Sequence, residues 1–136
     1  MPGGEFVDTN IWVYAHQDAL DDPRSALAWA FIHREADIVI SAQVVAEYFN
    51  VMQRKDQEDR IQRNIARMLQ RCRVQALDSA VIRRTLAIRK RYGLSIWDSQ
   101  IVAAALEAGC RTLFTEDLQH SQVIETLEIV DPFQER

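Results

Sequence analysis

The chain has 136 residues, of which 48% are hydrophobic and 26% are charged, and its formal net charge is −4. These values are ordinary for a soluble globular protein and predict one domain, residues 1–136, with a single hydrophobic core. No apolar run approaches the roughly 18 residues that a membrane span needs, and the N-terminal residues do not resemble a secretory signal. Cys72 and Cys110 are isolated, which argues against a disulfide framework or a zinc site and predicts reduced thiols in the cytoplasm.

The charges are distributed unevenly along the chain. Residues 54–91 contain twelve of the sixteen Lys and Arg residues and only four acids, a local net charge of +8, whereas the rest of the chain carries −12. This asymmetry predicts a basic surface beside an acidic site or tail. A second interpretation stays open, in which the arginines simply solvate two amphipathic helices.

Short apolar runs alternate with helical patterns along the chain. The predicted elements, in chain order, are a strand at 6–9, a helix from Asn10, a helix at 21–36, a strand at 37–42, helices at 43–54 and 57–71, a strand at 74–77, helices at 79–93 and 95–109, and strands at 112–115 and 127–130. In the helix at 57–71, the spacing predicts a buried face formed by Ile61, Ile65, Met68 and Leu69. The alternation is typical of an α/β fold with a mostly parallel sheet, in which sites lie outside the carboxyl ends of the strands.

Two acidic residues follow predicted strands directly. Asp8 comes after the apolar pair Phe6-Val7 and just before another apolar run, where an unpaired charge is costly. Asp117 similarly follows the apolar strand at 112–115, although the sequence Glu116-Asp117 is also typical of a turn or a helix N-cap. Both carboxylates are therefore candidates for a site at the same edge of the sheet.

Two further acids lie in predicted helices. Asp98 falls in the middle of the apolar stripe of its helix, and its spacing from Ser95 also fits a capping box. Glu47 lies next to the apolar stripe of its own helix, although a glutamate in mid-helix is ordinarily solvated. Each signal is weak by itself, and the four acids together predict one acidic pocket.

Several carboxylates in one pocket repel one another and raise one another's pKa values. The usual remedy is a bound hard cation, and oxygen ligands suit Mg²⁺ or Mn²⁺. Such a cation activates water and stabilises the oxygens of a phosphoryl displacement. The pattern therefore predicts a metal-dependent phosphodiesterase, with the basic segment available for a polyanionic substrate.

Four stretches of the chain resemble, in order and spacing, the motifs of PIN-domain ribonucleases, and more narrowly those of the VapC toxins of type II toxin–antitoxin systems: VDTNIWVYA, SAQVVAEYFNVMQRK, SIWDSQIVAAALEAG and LFTEDLQH. The resemblance implies a three-layer α/β/α sandwich with a central, mostly parallel sheet, a homodimer, Mg²⁺ or Mn²⁺ as cofactor, and RNA as substrate. It also implies a VapB-like antitoxin that holds the toxin inactive, with its tail in the acidic groove.

Residue by residue, the resemblance implies that the acidic metal site and the catalytic group are the same four residues, Asp8, Glu47, Asp98 and Asp117. The supporting residues that it implies are Thr9, Asn10 and Thr115. Whether Glu116 joins the site stays open at this point. We expect cleavage by metal-activated water, leaving a 5′-phosphate and a 3′-hydroxyl.

Other interpretations stay open beside this one. An aspartyl-phosphate phosphatase also places an Asp after its first strand, but it needs a second Asp two positions later, where this chain has Asn10. A PIN nuclease of RNA processing outside any toxin pair, and a non-cleaving PIN-like module that binds RNA or a partner, are further alternatives. The three tryptophans lie in apolar helical patterns and are expected in the core or a dimer contact: Trp12, Trp29 and Trp97.

Overall fold

A computed structural model of the protein describes residues 3–17 and 21–134. The strands are β1 Glu5–Val7, β2 Ile38–Ser41, β3 Arg73–Gln75, β4 Thr112–Phe114, β5 Val123–Ile124 and β6 Leu127–Val130. The helices are α1 Thr9–His16, α2 Pro23–Ile32, α3 Ala42–Met52, α4 Glu58–Arg71, α5 Ser79–Tyr92 and α6 Ile96–Glu107. In this part of the chain, no helix is long and apolar enough to cross a membrane.

The strands form one sheet in the order β3-β2-β1-β4-β6-β5. All neighbouring pairs are parallel except β5 and β6, which are antiparallel. The predicted α/β/α sandwich with a mostly parallel sheet is confirmed. β5 was not predicted, because two residues are too few to show a strand period.

The chain reverses its direction across the sheet after β3. β1, β2 and β3 follow one another toward one edge, and the chain then returns to place β4 on the other side of β1. Right-handed crossovers in opposite directions put their helices on opposite faces, so α1 to α4 cover one face and α5 and α6 the other. This arrangement opens a crevice between the carboxyl ends of β1 and β4.

The core lies between the sheet and these two helical layers. Phe6, Ile40 and Leu113, from three neighbouring strands, are completely buried. In α4 the predicted apolar face is shifted: Met68 is buried, but Leu69 is 49% exposed. The prediction for Leu69 was wrong because one residue turns the helix by about 100°, which carries the side chain past the core.

The tryptophans separate into two environments. Trp12 is 2% exposed and belongs to the core, as predicted, whereas Trp29 and Trp97 are 53% and 63% exposed. Their apolar sequence neighbours concealed this difference, because α2 and the start of α6 both lie at the surface. Trp29 and Trp97 therefore lie outside the core, and for these two residues the other predicted role, a dimer contact, stays a prediction.

Candidate functional site

A cavity of about 240 Å³ lies at the crevice between the carboxyl ends of β1 and β4. The residues that line it are Asp8, Thr9, Asn10, Gln43, Glu47, Asn50, Val51, Asp98, Ile101 and Asp117. All four predicted acids are thus brought to one place. Among the described residues that line this cavity, none is a Lys, Arg or His that could balance their charge.

Asp8 is the most buried of the four acids, with 7% of its surface exposed. It ends β1 and caps α1, because its Oδ1 accepts a hydrogen bond of 2.7 Å from the Thr9 backbone N–H. Its Oδ2 accepts a hydrogen bond of 2.8 Å from the Thr115 hydroxyl. Burial, reinforced by the charges of Asp117 and Glu47, raises the pKa of Asp8 to about 6 despite these hydrogen bonds.

Thr115 joins the ends of the two central strands. Its side chain is buried, and its Oγ1 donates to Asp8 while accepting a hydrogen bond of 3.1 Å from the Asp117 backbone N–H. It does not line the cavity itself. The predicted supporting hydroxyl therefore lies behind the acids and fixes the positions of two of them.

Asp117 lies at the open side of the cavity. The Asn10 side-chain amide lies 3.4 Å from both of its carboxylate oxygens. Partial desolvation, then the charges of Glu116 and Asp98, raises the pKa of Asp117. Asn10, two positions after Asp8, thus faces Asp117 on the other strand and not Asp8.

Glu47 projects from α3 and is half-buried. Its Oε1 accepts a hydrogen bond of 2.8 Å from the Thr9 hydroxyl, and its Oε2 accepts one of 3.2 Å from the Gln43 amide. Both carboxylate oxygens are therefore held by neutral donors. The carboxylate is thus fixed in orientation.

Asp98 lies in the first turn of α6. The Ser95 hydroxyl caps this helix by accepting a hydrogen bond of 3.0 Å from the Asp98 backbone N–H. The Asp98 carboxylate also lines the cavity, so the Ser95 cap and a position in the acidic pocket occur together. Burial, reinforced by the charge of Glu47, raises the pKa of Asp98.

Glu116 does not line the cavity. Its Oε1 accepts a hydrogen bond from the Tyr14 hydroxyl, and its Oε2 lies 3.7 Å from the Arg24 guanidinium, which stacks 4.2 Å above the Tyr14 ring. Of the two neighbouring acids after β4, only Asp117 therefore faces the other carboxylates.

Whether the cavity suits a metal ion depends on the ligand atoms that its side chains offer. The described residues contain no ready-made group of three His, Cys, Asp or Glu side chains in position to hold an ion. Without a cation the carboxylates repel one another. Each of three acids accepts a hydrogen bond from a hydroxyl or an amide: Asp8, Glu47 and Asp117. The available ligands are oxygens alone, however, and Mg²⁺ typically takes one or two carboxylates and keeps several waters. The residues therefore fit a partly hydrated hard divalent cation.

A second cavity, of about 210 Å³, lies between α1, α2 and α4 and contains none of the predicted site residues. Apolar and aromatic side chains form most of its wall, with Arg67 and Arg71 beside them. Beneath it, the His16 ring contacts the Tyr48 hydroxyl at 2.8 Å, and burial lowers the pKa of His16 to about 4.

The family model for the PIN domain matches residues 6–125. The chain therefore belongs to the PIN domain family, as its sequence motifs predicted. A comparison with curated proteins gives no match.

Solved structures with the same fold include toxins and toxin–antitoxin complexes. The chain is similar to VapC20 of Mycobacterium tuberculosis, a sarcin-ricin loop cleaving toxin, with 19% identity and a TM-score of 0.67 over 83% of this chain and 91% of that one. It is similar to a toxin–antitoxin complex from Klebsiella pneumoniae, with 20% identity and a TM-score of 0.69 over 96% and 98%. It is also similar to VapBC2 of Rickettsia felis, bound to a DNA fragment from its promoter. The identity there is 20% and the TM-score 0.66, over 93% of this chain and 98% of that one. At these identities the likeness establishes the fold.

Proposed function

We propose that this PIN domain is a Mg²⁺- or Mn²⁺-dependent endoribonuclease that hydrolyses RNA phosphodiester bonds, and that it is the VapC-type toxin of a toxin–antitoxin pair. The observation that carries the proposal is the cavity in which four carboxylates face one another without a balancing cation among the described lining residues. The family match and the fold shared with VapC20 support it.

In this proposal, the four acids would hold the cation together, some of them through its bound waters: Asp8, Glu47, Asp98 and Asp117. When bound, it lowers the pKa of water and stabilises the charge that develops on the phosphate. Thr115 keeps Asp8 and the backbone of residue 117 in place, and Thr9 orients Glu47. Hydrolysis by activated water would leave a 5′-phosphate and a 3′-hydroxyl.

The basic segment would supply contacts to the RNA backbone. Part of it is already used within the protein, since Arg60, Arg73 and Arg84 form ion pairs with acids of the chain. The exposed cations of α4 and α5 that form neither an ion pair nor a side-chain hydrogen bond with the described residues are Arg63, Arg67, Arg83, Lys90 and Arg91. We assign the phosphate contacts to this second group.

The partners that we propose are a VapB-like antitoxin and a second copy of the chain. Toxin–antitoxin complexes with this fold support the antitoxin. Exposed apolar side chains support a homodimer, because Ile82 and Leu86 of α5 and Trp97 of α6 are 48%, 58% and 63% exposed. Action in the cytoplasm agrees with two buried cysteines that are both free.

The test is RNA cleavage by purified, antitoxin-free protein with Mg²⁺, with Mn²⁺ and with EDTA. We expect cleavage only with metal, its loss in Asp8→Asn and Asp98→Asn, and full activity in Asp59→Asn, an exposed acid of α4 that serves as the matched control. Cleavage in EDTA that leaves 2′,3′-cyclic phosphates would contradict the mechanism.

The alternatives give different results in the same samples. A non-cleaving binding module would leave RNA intact under every metal condition, and isothermal titration with Mn²⁺ would show whether its metal site is intact. A nuclease of RNA processing would cleave RNA but would purify without a small partner protein after expression with its neighbouring gene.

A further inference from the structure

Gln43 is a neutral residue in an acidic cavity and is unusually well buried for its type. It lies in the first turn of α3 and is 8% exposed, whereas glutamine is mostly a surface residue. Its amide nitrogen donates to Glu47 Oε2 at 3.2 Å and to the Trp97 carbonyl at 3.3 Å. Its carbonyl oxygen accepts a hydrogen bond of 2.6 Å from the Gln100 amide. Both donors and the acceptor of the side chain are therefore used.

These hydrogen bonds connect two helices that lie on opposite faces of the sheet. Within residues 3–17 and 21–134, every side-chain hydrogen bond between α3 and α6 involves Gln43. The two helices carry Glu47 and Asp98, whose like charges repel each other across the cavity. The Gln43 bridge opposes this repulsion at the Trp97 carbonyl, one residue before Asp98.

The choice of an amide has a physical reason. A Lys or Arg at this position would also bind Glu47, but its charge would compete with any cation in the cavity. A Glu would add a fifth negative charge and could not donate while ionised. A Gln orients the carboxylate without changing the charge of the site.

We propose that Gln43 is a positioning residue of the metal site, which orients the Glu47 carboxylate and fixes α3 against the helix turn that carries Asp98. This inference rests on the metal-dependent function proposed above. Groups that hydrogen-bond to ligating carboxylates commonly contribute about 10- to 100-fold to metal affinity. Gln43 acts through Glu47 and need not touch the cation or the RNA.

The experiment compares Mn²⁺ binding, by isothermal titration, in the wild type and three variants. Gln43→Met preserves the length of the side chain and removes all three hydrogen bonds. Gln100→Met leaves Gln43 in place and removes only the bond to its carbonyl. Gln62→Met is the matched control, since Gln62 makes the same kind of amide–carboxylate bond, 3.0 Å to Glu58, on the exposed surface of α4.

We expect Gln43→Met to weaken Mn²⁺ binding by about 10- to 100-fold, Gln100→Met to weaken it less, and Gln62→Met to leave it unchanged. In cleavage assays, Gln43→Met should need correspondingly more Mn²⁺ but should reach the wild-type rate at saturation. A residue that only stabilised the fold would lower the melting temperature without changing the Mn²⁺ requirement.

The outcomes separate this inference from the proposed function. If the wild type binds no Mn²⁺ and cleaves no RNA, the proposed function fails and the role of Gln43 fails with it. If the wild type binds Mn²⁺ and Gln43→Met binds it equally well, only the role of Gln43 is refuted. Should Gln43→Met fail to fold, the folded Gln100→Met variant decides, and an unchanged Mn²⁺ affinity there overturns the inference.

Discussion

Replacing Asp8 with Asn should stabilise the metal-free protein at neutral pH, although Asp8 lies at the centre of the candidate site. Its carboxylate is buried, and burial raises its pKa from 3.8 to about 6. At pH 7 the folded protein must therefore keep a charge that its surroundings disfavour. A difference of about 2 pKa units, at about 1.4 kcal/mol per unit, makes this penalty about 3 kcal/mol as an upper figure.

The penalty has a defined dependence on pH. Below pH 3.8 the group is protonated in both the folded and the unfolded protein, so no penalty exists. The penalty grows as the pH rises toward 6 and is complete above it. The Asn variant has no such group, and Asn caps a helix as well as Asp does. The stability difference between variant and wild type should therefore be near zero at pH 4 and largest at pH 7.

The measurement is urea unfolding in EDTA at pH 4.5, 5.5 and 7 for the wild type, Asp8→Asn and the surface control Asp59→Asn. Burial lowers the pKa of His16 to about 4, so protonation of the unfolded chain below pH 6.5 destabilises every variant alike and cancels in the differences. The reasoning is refuted if Asp8→Asn is no more stable than the wild type at pH 7, or if its advantage does not shrink toward pH 4.5.

Mn²⁺ should reverse the order of stability between these two proteins. A ligand at a thousand times its dissociation constant stabilises the folded state by about 4.1 kcal/mol, which is more than the penalty of about 3 kcal/mol in the wild type. We expect this gain in the wild type and not in Asp8→Asn, because the variant lacks the carboxylate. An equal gain in both proteins would show that Asp8 does not hold the metal.

Other substitutions test the surroundings of the cavity. Thr115→Val removes the hydroxyl that joins Asp8 to the end of β4 and should lower the free energy of unfolding by about 1–3 kcal/mol, measured in urea at pH 7. Tyr14→Phe removes the hydrogen bond to Glu116 and should lower it by about 1 kcal/mol without changing Mn²⁺ affinity in isothermal titration. Gly93→Ala places a side chain at φ 70°, where no atom lies within 4 Å of the added Cβ, so the conformation alone should lower stability by about 1 kcal/mol, measured as a melting temperature.

For each of these three variants, one result would contradict the prediction. Unchanged stability in Thr115→Val would mean that the hydroxyl does not hold the strand ends together. Weaker Mn²⁺ binding in Tyr14→Phe would show that Glu116 serves the metal after all. A Gly93→Ala variant as stable as the wild type would show that the end of α5 relaxes out of the left-handed conformation.

The sequence predicted the layers from strong local signals, whereas the four acids were singled out because their weak individual signals occur together. Apolar runs separated by helical patterns predict parallel strands with crossovers. A charged residue directly beside a buried strand, such as Asp8, is easy to recognise because burying an unpaired charge is energetically unfavourable. Asp98 was harder, since the Ser95 spacing gave an equally good local explanation. In the structure Ser95 caps this helix, and Asp98 nevertheless lines the cavity.

The residues that the sequence did not reveal are neutral or depend on distant partners. Gln43 shares a helix face with Glu47, four positions away, but nothing in that spacing indicates burial or a bond to α6. Tyr14 and Arg24 meet Glu116 only after β4 has folded beside β1. Such contacts are set by the packing of the sheet, which local patterns do not describe.

The hydrogen bond from Thr115 to Asp8 joins residues that are 107 positions apart in the chain. The acidic cavity therefore cannot exist in a chain that stops short of residue 117, because Asp98, Thr115 and Asp117 are synthesised after Asp8 and Glu47. Pairings of such long range also form late compared with local helices. A nascent chain that carries Asp8 and Glu47 has half of the carboxylates and no cavity. The order of synthesis thus delays assembly of the site until all of residues 1–117 have been made.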